Sequence, residues 1–197
     1  MRDKWYSDNR DLVKWSTLLL IARKHRSDCI LQVAYFRESH FGKITINERE
    51  YEIPSEVLTH FRDIRNITKL VSQPEIVVFD DKFEDRDNYL LGIKKFIKQN
   101  DKKNRSIVFL DPDTGLEPLG KPNHKHVLKK ELKEIWEVIP PQWILVFYQH
   151  KTNRKSEEWV GPKRKQFSET ISISLNDVKV AHGFNAANDV VFFFAIK

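Results

Sequence analysis

The run Ser106-Ile-Val-Phe-Leu110 limits the architecture more than any other part of the chain. After Ser106 it shows no polar/apolar alternation. Its β-branched and aromatic residues suit a strand buried on both faces, so its sheet needs cover on both sides. The run stops at Asp111. Pro112 then fixes φ and removes a donor, Gly115 permits positive φ, and the turn carries Asp111, Asp113 and, just beyond, Glu117. Three carboxylates thus stand at the carboxyl end of a central strand, where open α/β sheets place their ligands.

The flanking sequence supplies the covering layers. Asp8-Asn-Arg-Asp11 offers capping side chains, Leu12, Trp15, Leu19 and Ala22 recur at helical spacing, and Arg23-Lys-His-Arg26 gives a cationic last turn. Cys29 to Phe36 reads as a strand. Lys43 to Ile46 and Tyr51 to Ile53 read as a small inserted hairpin, and Ser55 caps a helix holding Val57, Leu58, Phe61, Ile64 and Leu70. Glu75 to Phe79 is a strand ending in Asp80-Asp81, and Leu90, Ile93 and Ile97 mark the next helix. Leu128, Leu132, Ile135 and Ile139 share a helical face that Pro140-Pro141 terminates. Trp143 to Tyr148 is another buried strand, ending in Gln149-His150-Lys151. A helix around Lys163 to Ile171 precedes Val178 to Ala181 and Asp189 to Ile196, a closing β pair. Strands alternating with helices imply βαβ units and a mainly parallel sheet, while the last two strands, with no helix between them, require an antiparallel member. With 197 residues and no linker or internal repeat, residues 1–197 read as one α/β domain.

Composition narrows the function classes. A hydrophobic content of 40% with 12% aromatic residues excludes a wholly disordered chain. No apolar run approaches the ~20 residues of a bilayer span. Met1-Arg-Asp-Lys4 lacks a signal-peptide pattern, so the expectation is a soluble, cytoplasmic protein with no membrane partner. The single Cys29 opens an apolar strand, reads as a core thiol and has no partner for an internal disulfide. A net charge of +6 permits a polyanionic partner, and two basic stretches, Lys121 to Lys133 and Lys151 to Lys165, follow presumed central strands where they would flank one cleft.

A parallel sheet brings the carboxyl ends of its strands to one edge, so Arg37 to His40, Asp80-Asp81, Asp111 to Glu117 and Gln149 to Lys151 are expected to converge. Asp111 and Asp113, with Glu117 or Asp80 completing the set, are oxygen donors suited to Mg²⁺, which would orient a phosphodiester and activate water, with His150 or Lys151 as general base or charge stabiliser. Read plainly, Asp113-Thr-Gly115 is also simply a turn whose side chain bonds its own backbone. Arg154, Trp159, Lys163, Arg164 and Lys165 have the make-up of a phosphate-contacting loop with an aromatic for base stacking, without specifying DNA or RNA.

The element order resembles that of class I S-adenosylmethionine-dependent methyltransferases, whose Rossmann-like three-layer domain also ends with an antiparallel strand. Tyr6-Ser-Asp-Asn-Arg-Asp-Leu-Val-Lys-Trp15 resembles the opening of ribosomal-RNA adenine-N6 methyltransferases, and Asp111-Pro-Asp-Thr114 stands where amino-methyltransferases carry Asp-Pro-Pro-Tyr. The resemblance implies S-adenosylmethionine as cofactor, with Lys14, Tyr35, Arg37 and Asp80 on its side, and Asp111 as acceptor for an exocyclic amine of a nucleic-acid base. Over most of its length the sequence is also similar to an uncharacterised bacterial and prophage-type family sharing Asp-Pro-Asp-Thr-Gly-Leu-Glu117 and Tyr-Gln-His150, which implies no activity. The chain departs from the methyltransferase pattern at Tyr35 to Gly42, which holds a single glycine, and at Thr114, which replaces an aromatic. Three readings follow: a methyltransferase-type enzyme acting on nucleic acid, a Mg²⁺-dependent nuclease or phosphodiesterase, and a basic nucleic-acid-binding module without catalysis.

Overall fold

Helix α1 (Asn9–His25) starts because the Asp8 carboxylate accepts hydrogen bonds from the N–H groups of Arg10 and Asp11, at 2.8 and 3.1 Å. It stops at Arg26, whose left-handed backbone (φ 54°) turns the chain into strand β1 (Cys29–Val33). The computed structural model describes residues 8–37, 43–57, 63–151 and 158–197.

Strands β2 (Lys43–Ile46) and β3 (Arg49–Glu52) form the expected hairpin, exposed along its whole length. The helix expected to run from Ser55 to Leu70 is broken instead. Asp63 is extended and its side chain caps Arg65 N–H, opening a short 3₁₀ turn at Ile64–Lys69. Residues 58–62 lie outside the described residues. A capping aspartate interrupts the apolar periodicity that suggested one helix.

Next come β4 (Glu75–Phe79), α2 (Arg86–Gln99), β5 (Ser106–Leu110), the two-residue pair β6 (Gly115–Leu116) and β7 (His126–Val127), α3 (Lys129–Val138), β8 (Ile144–His150), α4 (Val160–Thr170), β9 (Lys179–Gly183) and β10 (Ala187–Ile196). Six of these strands make one sheet in the order β4-β1-β5-β8-β10-β9. The first four are mutually parallel, and β10 runs antiparallel to both of its neighbours.

The sheet separates two apolar layers. Leu31, Val33, Val108, Leu110, Leu145 and Phe147 pack with Ile93, Ile97, Leu132, Ile135 and Phe167 from α2, α3 and α4. Ile30, Ile107, Phe109, Val146 and Phe192 pack on the other side with Val13, Leu18 and Ile21 of α1 and Ile67. Every residue of β5 is buried, as its unbroken apolar run requires. This is the three-layer α/β, Rossmann-like arrangement with an antiparallel C-terminal strand. It sets the carboxyl ends of β4, β1, β5 and β8 on one edge, with the start of α1 and the start of β10 above them.

Candidate functional site

Asp111 follows β5 directly, is 2% exposed, and its N–H donates to the Val33 carbonyl of neighbouring β1. A carboxylate this deep needs partners, and two converge on its Oδ2. The Gln32 amide of β1 donates at 3.0 Å, and the Lys14 Nζ of α1 lies at 3.0 Å. Lys14 also donates to Asp11 Oδ1 at 2.7 Å and sits 5.5 Å above the Tyr148 ring. Burial by itself would lower the Lys14 ammonium, but Asp111 and then Asp11 outweigh it and hold the group above its ordinary value. Burial raises the Tyr148 phenol, against the pull of Lys14. Gln32 is 1% exposed, and its Oε1 has no hydrogen-bond donor among the described residues.

The turn after Asp111 is shaped by Gln149, a fully buried residue of β8. Its Oε1 accepts from Leu116 N–H at 2.9 Å, while its Nε2 donates to the carbonyls of Thr114 and His150. Gly115 has φ 115°, which only glycine adopts without strain, and it lets this amide lie against the backbone. Asp113 forms an ion pair with Arg37 across the β1 and β5 ends.

His150 does not approach Asp111 as a base. Its Nε2 lies 3.1 Å from Asp189 Oδ2 and its Nδ1 3.0 Å from the Lys151 carbonyl, so both ring nitrogens face acceptors. Arg10 of α1 clamps the same Asp189 at 2.5 Å, and Lys151 contributes its N–H to the Asp189 carbonyl. Burial alone would raise the Asp189 carboxyl, but the Arg10 hydrogen bonds and His150 hold it below its ordinary value. A carboxyl lowered in the folded state stabilises the fold above its unfolded value, about 3.9. That contribution is lost as the pH falls through the folded value. Asp189→Asn should therefore flatten the acid limb of stability against pH below about pH 4, measured by urea unfolding; a limb as steep as wild type rejects the clamp.

Several expected residues serve other ends. Glu117 lies at the far side of the turn, where its carbonyl accepts from Lys163 Nζ and Gln166. Among the described residues no group of three or more His, Cys, Asp or Glu side chains could hold a metal ion, so Asp111, Asp113 and Glu117 do not assemble the expected Mg²⁺ set. Asp111 and Asp113 point to cations of the chain instead. Trp159 is 8% exposed within the core, where an apolar ring is worth more than on a surface loop. Arg164 donates to the carbonyls of Val178 and Leu175, and Lys163 is held in its carbonyl contacts, its ammonium lowered by burial. Of the expected nucleic-acid contacts only Lys165 is exposed, beside Glu169; Arg154 lies outside the described residues.

The residues expected on the cofactor side divide. Lys14 meets Asp111. Asp80 accepts from Arg65 Nε at 2.7 Å. Past Val33 and Phe79 the chain stays zipped: Ala34 N–H donates to Phe79 O at 3.2 Å, Phe36 bridges Lys82, and Phe83 N–H donates to Phe36 O at 2.8 Å. Tyr35 (φ 46°) donates its N–H to the Tyr89 hydroxyl at 2.8 Å, and its ring is buried against Phe83 and Tyr89. A glycine-rich turn would leave these backbone groups open to S-adenosylmethionine; here those of Ala34, Tyr35 and Phe36 are paired within the chain, and residues 38–42 lie outside the described residues. Tyr35 is thus a core residue rather than a cofactor ligand.

The sequence did not mark Arg10, Gln32 or Asp189 as site residues; Asp11 stood out only as a capping residue and Gln149 only as part of the converging strand end. Asp11 precedes Lys14 by one helical turn, and Gln32 and Gln149 are amides inside apolar strands; those were the available signals.

No family model matches the sequence, and no curated protein does. Among solved structures the chain is similar to the methyltransferase domain of bacterial CtHen1, at 9% identity and a TM-score of 0.42, covering 95% of this chain and 99% of that one. The strand order and the antiparallel β10 are those of a mostly parallel, Rossmann-like α/β sheet. Among the described residues no helix is long and apolar enough to cross a membrane.

Proposed function

We propose that this chain is a nucleic-acid-modifying protein of the S-adenosylmethionine-dependent methyltransferase type, whose target is an exocyclic amine of a base received at Asp111. One observation carries the reading: Lys14 and Asp111, singled out by two separate segments 97 positions apart, meet at 3.0 Å at the ligand edge of the sheet. Both contacts on Asp111 fall on Oδ2, and the neighbouring Gln32 Oε1 is an acceptor without a donor. An amino group, with two N–H donors, complements a carboxylate acceptor. Lys14 pairs with the carboxylate and orients it, and an oxygen acceptor at this position favours an amine over a carbonyl. Because Asp111 is 2% exposed, only a base free of its duplex partner would reach it.

The phosphodiesterase reading has less support, since it needs a chelating group and a histidine with a free ring nitrogen. A second reading is favoured by the zipped edge between β1 and β4: recognition of the same base without methyl transfer. Calorimetry and thermal shift with millimolar S-adenosylmethionine distinguish the two. A saturable heat and an upward shift are the expected results for the first. Binding of nucleic acid with neither heat nor shift would leave the second, and absence of both kinds of binding would remove both.

A further inference from the structure

Above the Asp111 cluster, the start of α1 and the turn between β9 and β10 enclose a cleft of about 580 Å³, lined by Asp8, Asn9, Arg10, Phe184, Asn188 and Asp189 among others. Phe184 is 40% exposed on this turn. Its partner is the exposed His182, stacked at 3.9 Å between centroids with the planes only 11° apart. One face of Phe184 is therefore covered by a second planar ring, while its ring also lines the cleft. The amides of Asn9 and Asn188 make no side-chain hydrogen bond among the described residues. Arg10 pairs with both Asp8 and Asp189 in the cleft wall, at 3.1 and 2.5 Å, and so balances one of the two carboxylate charges.

We propose that Phe184, backed by His182, is the stacking platform for an unpaired base of a single-stranded nucleic acid, with Asn9 and Asn188 reading its edge. The inference rests on the functional reading above and deepens it by assigning the substrate's strandedness and its docking place. Three features combine. A planar two-ring stack is extended by a third planar ring, and base–aromatic stacking tolerates every base because each has a π face. Free amides offer donor and acceptor together, the pattern that pairs with base edges. The cleft also stands on the ligand edge: Asp189, which lines it, is bonded to His150, whose N–H donates to the Thr114 carbonyl three residues past Asp111. A strand anchored at Phe184 therefore lies beside the buried carboxylate that receives the amine, and the net charge of +6 suits the phosphates it carries. In a duplex both faces of each base are already stacked, so the platform selects single strands.

Fluorescence anisotropy with a labelled 12-nucleotide adenine strand, as DNA and as RNA, tests this on the full chain. Phe184→Ala should weaken binding about tenfold or more. Phe184→Trp should retain it, and the salt dependence should be the same in all three proteins because stacking contacts no phosphate. Phe184 is exposed, so the variants should keep the wild-type melting temperature, which is checked in parallel. Wild-type affinity in Phe184→Ala, equal affinity for a duplex of the same sequence, or a preference for an uncharged oligosaccharide overturns the platform. If wild type binds the strand while Phe184→Ala does so equally, the platform alone is wrong and the Asp111 reading stands. If wild type binds neither strand, both fall.

Discussion

Replacing Lys14 with methionine should destabilise the fold by about 3–5 kcal/mol, because it removes the cation from a buried ionic cluster while leaving its anions in place. Asp11 and Asp111 have side chains only 10% and 2% exposed, and Lys14 is the cation that both share. For a domain of this size such a loss corresponds to a fall in melting temperature of about 10 °C or more. The effect is largest for Lys14 because removing one carboxylate still leaves it the other. Asp111→Asn should therefore cost less, and Lys14→Met combined with Asp111→Asn should cost less than the two single losses added, since one replacement relieves the charge stranded by the other. Additive losses in urea unfolding would show that the pair does not act as a unit. The pH dependence has a definite sign. An ammonium raised in the folded state stabilises the fold below its unfolded value, about 10.4, and loses the contribution as pH rises through the folded value. The difference between wild type and Lys14→Met from this group should stay level from about pH 6 to pH 9 and shrink only in strong alkali.

Gly115→Ala should be comparably damaging for a different reason. A Cβ there would lie 2.4 Å from Gln149 Oε1 and 2.5 Å from its Cδ, at φ 115°, where L side chains are strained. Gln149 is fully buried and serves three backbone groups, so it cannot swing away without stranding them. Backbone strain of about 1–3 kcal/mol and one or two lost buried hydrogen bonds at about 1–3 kcal/mol each place the cost near 4 kcal/mol. Relaxing the clash by Gln149→Ala in the same chain should not restore stability, because Leu116 N–H then loses its acceptor in the buried turn. A Gly115→Ala protein that melts within about 2 °C of wild type would mean that the turn can be built another way.

Local signals in the sequence carried the fold well. Ser106 to Leu110 appears where its pattern places it, because a strand buried on two faces leaves a mark in its own residues. Glu75 to Phe79 also appears as expected, while the exposed hairpin's second strand starts at Arg49, two residues before Tyr51. The antiparallel closing strand followed from the absence of an intervening helix. The site was legible only in outline. Asp111 and Lys14 could be named but not their pairing, and the ionic contact between Arg10 and Asp189 joins residues 179 positions apart, which no local periodicity encodes. Trp159 was misplaced because a tryptophan among lysines looks superficial, whereas the chain turns it inward, holds Lys163 against the Leu116 and Glu117 carbonyls and leaves Lys165 exposed. His150 was placed near the right edge with the wrong partner, since its acceptor comes from a strand that joins the sheet between β8 and β9.

That order of joining bears on the birth of the protein. β8 acquires its outer neighbour only when residues 187–196 arrive, and β9, made earlier, has nothing to pair with until the same moment. On the ribosome, therefore, the apolar segment Ile144–His150 stays an open sheet margin through the synthesis of the intervening residues, a period when strand-to-strand association between nascent chains is most hazardous. The stretch that ends this exposure also delivers Asp189 to Arg10. A chain interrupted before it would be both sticky and without its cleft.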